Sequence, residues 1–249
     1  MSSYASFSLF YDRLTENIDY STRAAYFNSI IKKYGNGENL LLDLACGTGS
    51  LSAAMSKLGY DVIGTDASAD MLSVAMEKEH DNIIYLCQPM HRLDMYGTMD
   101  VAVCALDSIN HETDMSRVAK AFERVSLFLN DGGLFIFDVN SEYKHEFVLG
   151  DNTFIYDLDD VYCIWQNKYD KQKKQTQINL DFFSTENGTD YLRFDEQFSE
   201  RVYTHAQIME FIENAGLSFV SMYEGDSFLQ PKEDTQRIVY VTKKNRRDR

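Results

Sequence analysis

The chain is short of proline, of paired cysteines, of positive charge and of long apolar runs. Its 249 residues hold two prolines, Pro89 and Pro231, and no Gly/Ser-rich stretch, so nothing in it reads as a linker. Cys46, Cys87, Cys104 and Cys163 stand far apart with no CxxC pair. That pattern suits free thiols in a reducing compartment and argues against a disulfide framework or a thiolate metal site. No window approaches the ~18 apolar residues of a spanning helix. The opening MSSYASFSLF has no basic segment ahead of an apolar one, so the expectation is a cytoplasmic chain without a membrane partner. Lys plus Arg number 24 against 39 Asp plus Glu, a net charge of −15 that disfavours nucleic acid as a partner. What the chain does have is 44% hydrophobic and 13% aromatic residues, enough for a sizeable core.

Two periodicities organise it. Apolar and aromatic residues at helical spacing (Ala24, Phe27, Ile30, Ile31, Tyr34) end at Gly35 and Gly37. Short apolar runs suited to buried strands follow at 39–44, 61–66, 82–88, 100–106 and 134–140. Helices are expected over 47–59, over 68–78 with Ser68 as N-cap, and over 115–129, where Val118, Phe122, Val125 and Leu129 share a face. This alternation predicts an α/β fold: a doubly wound, mostly parallel sheet, seven-stranded once the runs at 217–223 and 237–242 are added. A closed barrel would need eight such units.

The rhythm changes after about Gly150. Runs at 161–169, 177–183 and 191–203 are strand-like, and Ile178, Leu180 and Phe182 alternate with polar neighbours. Asn187-Gly188 suits a tight hairpin turn, and Thr204-x-x-Gln207 reads as a capping box reopening the helical pattern. The expected organisation is an N-terminal helical lid (1–37), a core (38–149 and 204–249) and an antiparallel insertion after the fifth strand (150–203). Trp165, Tyr156, Tyr162 and Tyr169 would give that insertion an aromatic substrate wall or a dimer surface.

The strongest chemical signal is the string LLDLACGTGS at 41–50. An apolar strand ends near Asp43, and Gly47 and Gly49 let the next turn bend tightly and approach a ligand at the carboxyl edge of the sheet. The second strand ends in Asp66, where a carboxylate can accept hydrogen bonds from a ribose diol. A dinucleotide fingerprint wants a third small apolar residue where Ser52 stands. Asp43 would also repel a pyrophosphate while suiting an ammonium group.

With LLDLACGTG, and with IGTDAS (63–68) followed by Met71-Leu72, the chain resembles the class I S-adenosylmethionine-dependent methyltransferases. The resemblance covers 38–140 closely and implies S-adenosyl-L-methionine as cofactor. It also implies that Asp43 holds the methionine ammonium, with Ala45, Cys46, Gly47 and Gly49 forming the loop around it. Asp66 would clamp the ribose, and Ala67 and Met71 would line the adenine. In Cys87-Gln88-Pro89-Met90, proline stands where the family usually places an adenine-binding acid, which leaves Gln88 and the Met90 amide for that base. Tyr11 would close over the sulfonium, and Arg23 would pair with the methionine carboxylate.

The fourth strand runs through Leu106 into Asp107-Ser-Ile-Asn-His111, polar groups arriving at the ligand edge. Asp107 and His111 are the candidate catalytic residues if the acceptor arrives protonated. The remaining histidines, His80, His91, His145 and His205, read as isolated surface residues, and no spacing argues for a metal. The expected activity is methyl transfer to a small-molecule acceptor, with an amine suggested by the acidic surface. An NAD-type oxidoreductase and a non-catalytic cofactor-binding protein are the alternatives.

Overall fold

A computed structural model describes residues 5–37, 39–78, 82–185 and 187–245. Two helices open it, α1 (Ala5–Leu14) and α2 (Tyr20–Tyr34). The α/β alternation then runs β1 (Leu40–Leu44), α3 (Ser50–Lys57), β2 (Asp61–Asp66), α4 (Ala69–Glu77), β3 (Ile83–Cys87) and β4 (Met99–Cys104). It continues through the short α5 (Ser108–His111), α6 (Met115–Phe128) and the long β5 (Leu129–Asn140). After the second sheet come α7 (His205–Asn214), β10 (Leu217–Glu224) and β11 (Arg237–Lys244). The main sheet has seven strands in the order β10-β11-β5-β4-β1-β2-β3, and only β11 runs antiparallel to its neighbours.

Period-two alternation sends each strand's side chains to two different cores. Leu42, Leu44, Ala102, Cys104, Phe135 and Phe137 face α6 and α7. Leu41, Val101, Val103, Leu134 and Ile136 face α2 and α3. Phe122 of α6 sets its ring edge-on against Phe135 and Phe137, with centroids 5.3 and 5.0 Å away. The expected capping box is present, Thr204 and Gln207 satisfying each other's orphan groups at the start of α7.

The second sheet is antiparallel and four-stranded, β6 (Thr153–Asp157), β7 (Val161–Asp170), β8 (Gln175–Ser184) and β9 (Leu192–Arg201) in sequential order. The sequence pattern anticipates three of these strands and misses β6, a five-residue edge strand whose alternate residues are exposed. Asn187 does not form a two-residue hairpin. Its Oδ1 accepts the Thr189 and Asp190 amides at 3.0 and 2.9 Å, organising a wider loop between Ser184 and Leu192. The inner face of this sheet (Cys163, Ile178, Leu180, Phe182) packs with Leu14 of α1 and Met71 of α4 into a third core. Burying those residues removes the reason for the sheet to separate from the main body.

Candidate active site

The loop from β1 to α3 bends through positive φ at Ala45 (58°), Gly47 (55°) and Gly49 (73°). Asp66, at the end of β2, clamps this loop. Its Oδ2 accepts the Gly47 amide and its Oδ1 the Ser68 amide, both at 2.8 Å. The two glycines do different work. A Cβ on Gly47 would meet no atom within 4 Å, whereas one on Gly49 would collide with the Tyr85 hydroxyl and with Ala75. Gly49 is therefore required for packing against β3 and α4, and it does not line the cavity as expected of it.

A cavity of about 620 Å³ opens at this carboxyl edge, within the usual range for small-molecule sites. Tyr11, Ala45, Gly47, Asp66, Ala67 and Met71 line one part of it; Gln88, Pro89, Met90, Leu106 and His111 line the rest. A narrow extension of about 40 Å³ reaches Asp43, Cys46, Thr48 and Tyr20, sharing Tyr11, Ala45, Gly47 and Leu106 with the larger space. Asp43 is 1% exposed and accepts the Ser52 hydroxyl at 2.5 Å. Burial pushes its carboxyl up to about 7, and Asp66 adds to the shift while Ser52 opposes it.

Three expected cofactor contacts have other engagements. Arg23 is buried against Asp138 (3.4 Å) and Asp226 (2.9 Å) and lines neither part of the cavity. Gln88 lines the cavity, but its amide is engaged with Asp94, accepting the backbone N–H at 2.8 Å and donating to the C=O at 3.1 Å. Gly49 is the third. The cavity wall instead gains Asp70, His91, Glu112 and Arg117, which no motif had flagged. His91 is thus half-buried at the cavity rather than a plain surface residue, and His80 lies outside the described residues.

The turn from β4 into α5 places Leu106 and Asp107 consecutively in the left-handed region, φ 58° and 55°. Side chains with a Cβ resist that conformation, so something must hold it. Asp138, buried in β5, accepts the Leu106 amide at 3.0 Å and the Asp107 amide at 2.7 Å. Arg237 then bridges Asp138 (2.8 Å) and Asp107 (2.7 Å). Burial opposes ionisation of Asp107, but Arg237, Lys144 and His111 outweigh it and hold its carboxyl well below the usual range. Asp107 stays ionised and lies just behind the cavity wall rather than on it.

His111, four residues on, does line the cavity. Its ring stacks on Phe198 of β9 with centroids 5.1 Å apart. Its Nε2 lies 4.0 Å from Asp107 Oδ2 and 3.7 Å from Glu200 Oε1. Behind Glu200 stands His145, expected at the surface but 0% exposed in the π-helical turn Lys144–Leu149. Burial pushes His145 down to about 4, so its ring is neutral. Asp138, Glu200, His145 and Arg237 were missed. The available signal was an acid inside an apolar strand, as in LFIFDVN at 134–140.

The donor set fits S-adenosyl-L-methionine. Asp43 is a buried carboxyl group on the smaller space, suited to an ammonium, and Asp66 presents a carboxylate to the wider space, suited to a ribose diol. Residues 41–133 match a methyltransferase domain model. A solved S-adenosylmethionine-dependent methyltransferase from Clostridium acetobutylicum ATCC 824 is 32% identical, covers 97% of this chain and 99% of its own, and superposes with a TM-score of 0.87. Partial matches include a ubiquinone biosynthesis O-methyltransferase of Nitrobacter winogradskyi, 31% identical over 44% of this chain and 42% of its own. A glycine/sarcosine N-methyltransferase of Halorhodospira halochloris is 30% identical over 52% and 51%. From loop motif, sheet order and these similarities together, the chain belongs to the S-adenosylmethionine-dependent methyltransferases.

Proposed function

We propose that this methyltransferase acts on a small-molecule amine, with His111 as the group that takes a proton from the acceptor. When bound, S-adenosyl-L-methionine supplies a methyl group on a positively charged sulfur. The protein then has to bind it, align an acceptor and exclude water. Tyr11 and Leu106 border both parts of the cavity, together with Ala45, Gly47 and Ser108. An amine arrives as an ammonium ion and must lose a proton before it can attack.

The observation that carries this reading is the imidazole of His111 on the cavity wall, with two carboxylates facing its Nε2. The wall itself favours a cation: Asp66, Asp70 and Glu112 outnumber its one guanidinium, Arg117. The partial similarities include both an O- and an N-methyltransferase, so the acceptor atom rests on the site.

The test is transfer of labelled methyl to panels of amines, phenols, carboxylates and sugars. Amines are expected to be methylated, and His111→Gln to lower kcat by roughly 10²–10⁴, the range for a lost general base, with S-adenosylhomocysteine affinity retained. Turnover confined to phenols or carboxylates, or full activity in His111→Gln, would overturn the reading.

A further inference from the structure

Building on the reading of His111 as the acceptor's base, we propose that Glu200, delivered by the antiparallel sheet, is its positioning residue. It keeps the ring's proton on Nε2 and leaves Nδ1 as the basic nitrogen. The two oxygens of Glu200 are divided among three neighbours. Oε2 accepts the Asn140 side-chain amide at 3.3 Å and lies 3.7 Å from His145 Nε2, while Oε1 lies 3.7 Å from His111 Nε2.

This arrangement is braced from behind. His145 Nδ1 contacts Thr176 Oγ1 of β8 at 2.7 Å. The Asn140 amide N–H donates to Asn110 Oδ1 at 2.9 Å, and Lys144 Nζ donates to Asn140 Oδ1 at 2.9 Å. Glu200 is 3% exposed, so its carboxyl has little water to turn to. Among the described residues His145 Nε2 has no hydrogen-bond partner, and both imidazoles stand 3.7 Å from this one carboxyl group.

A separation of 3.7 Å is an ion-pair distance, and contraction by about 0.8 Å would make it a hydrogen bond. Even at the longer distance, negative charge beside one ring nitrogen favours the tautomer with the proton there. Asp107 acts in the same sense from 4.0 Å. The charged groups near the ring are Asp107 at the N-cap of its own helix, Glu200 on β9 and Asp66 on β2; Lys144 of the π-helical turn and Arg237 on β11 act on Asp107 behind it. Burial raises the Glu200 carboxyl, and Asp107 raises it further; His111 and Lys144 work against them.

The proton step balances simply. The acceptor's N–H proton passes to Nδ1, and its bonding pair stays on the acceptor nitrogen as the attacking lone pair. The imidazolium so formed keeps Nε2–H against the two carboxylates, which stabilise its charge. The sheet therefore supplies part of the catalytic apparatus as well as covering the site.

The experiment is nitrogen-15 NMR of His111 in the intact chain loaded with S-adenosylhomocysteine, at a pH where the ring is neutral. Wild type should show Nε2-protonated ring in at least about tenfold excess. In Glu200→Gln the two tautomers should mix or reverse, because the amide can present either its oxygen or its NH₂ to the ring. Glu200→Asp should restore the wild-type preference in part. In amine turnover, Glu200→Gln should lose kcat by roughly tenfold or more with the cofactor KM unchanged. Identical ring signals in wild type and Glu200→Gln would overturn the proposal. If the tautomer shifts as expected but His111→Gln still methylates amines, the base assignment fails while the Glu200–His111 coupling stands.

Discussion

Asp43 shows how one residue's placement becomes a pH-dependent property. Its carboxyl is buried, answered chiefly by Ser52, and pushed up to about 7 from an unfolded-chain value of ~3.9. A raised carboxylate contributes its full share of stability below the unfolded value and loses it as pH rises through the folded one. The cofactor-free chain should therefore lose stability relative to Asp43→Asn between about pH 4 and pH 7, with a plateau above. The gap at the plateau is at most about 4 kcal/mol, three pH units of linkage. S-adenosylhomocysteine should close the gap, because its ammonium compensates the charge that burial penalises. Chemical denaturation of both proteins across that range checks this, and a pH-independent gap would show that the buried carboxyl is not raised.

At the scale of elements, α1 acts as a strap. Asp12 accepts the Thr48 hydroxyl at 2.5 Å and the Ser50 hydroxyl at 3.3 Å, and pairs with Lys78 of the α4 C-cap at 2.5 Å. One residue on, Arg13 pairs with Asp160 in the turn between β6 and β7. A ten-residue helix is marginal on its own, so its order depends on these anchors and on the apolar contacts of Leu14. Asp12→Ala should speed amide exchange in α1 by tenfold or more while leaving β1, β4 and β5 protected. It should also weaken S-adenosylhomocysteine binding by about 1 kcal/mol, the scale of a partly exposed pair with its hydrogen bonds. Hydrogen exchange and calorimetry read the two effects, and an α1 that exchanges as in wild type would show that the strap is held by apolar packing alone.

The same scale explains what could be read from the sequence. β1 and β2 announce themselves because both of their faces are largely buried, which writes short runs rich in Leu, Val and Ile with an acid at or next to the carboxyl end. The turn after β4 was visible as a polar string, but its conformation was not. Two consecutive left-handed residues without glycine are possible only because Asp138 and Arg237, about 30 and 130 residues further on, complete their hydrogen bonds. Glu200 and His145 were illegible for a related reason. Each looks like a polar residue on an ordinary exposed position until the sheet folds back and removes its water. Arg23 is the opposite case: a cation near the lid suggested a ligand, and in the fold it also pairs with the buried Asp138. Local pattern reports burial by period, whereas an ion pair across the fold leaves no period to read.

For the whole molecule, the −15 charge and the acidic cavity wall act on the acceptor before any contact forms. A net negative field with carboxylates concentrated in a concave site attracts a cation and repels an anion. The effect is screened over ~10 Å at 0.1 M ionic strength and over ~3 Å at 1 M. If the acceptor is an ammonium ion, kcat/KM should fall severalfold, up to about tenfold, between 0.02 and 0.5 M salt, carried mainly by KM. A neutral acceptor methylated at the same site should show a nearly flat response. The cofactor serves as an internal control, since its ammonium and sulfonium are offset by only one carboxylate and its affinity should also decline, more gently. Steady-state kinetics at several salt concentrations, with acceptor and cofactor varied separately, distinguish the cases. A flat acceptor KM together with a falling cofactor affinity would mean that the acidic surface favours solubility and cofactor capture, and that acceptor choice is made only inside the cavity by His111 and its two carboxylates.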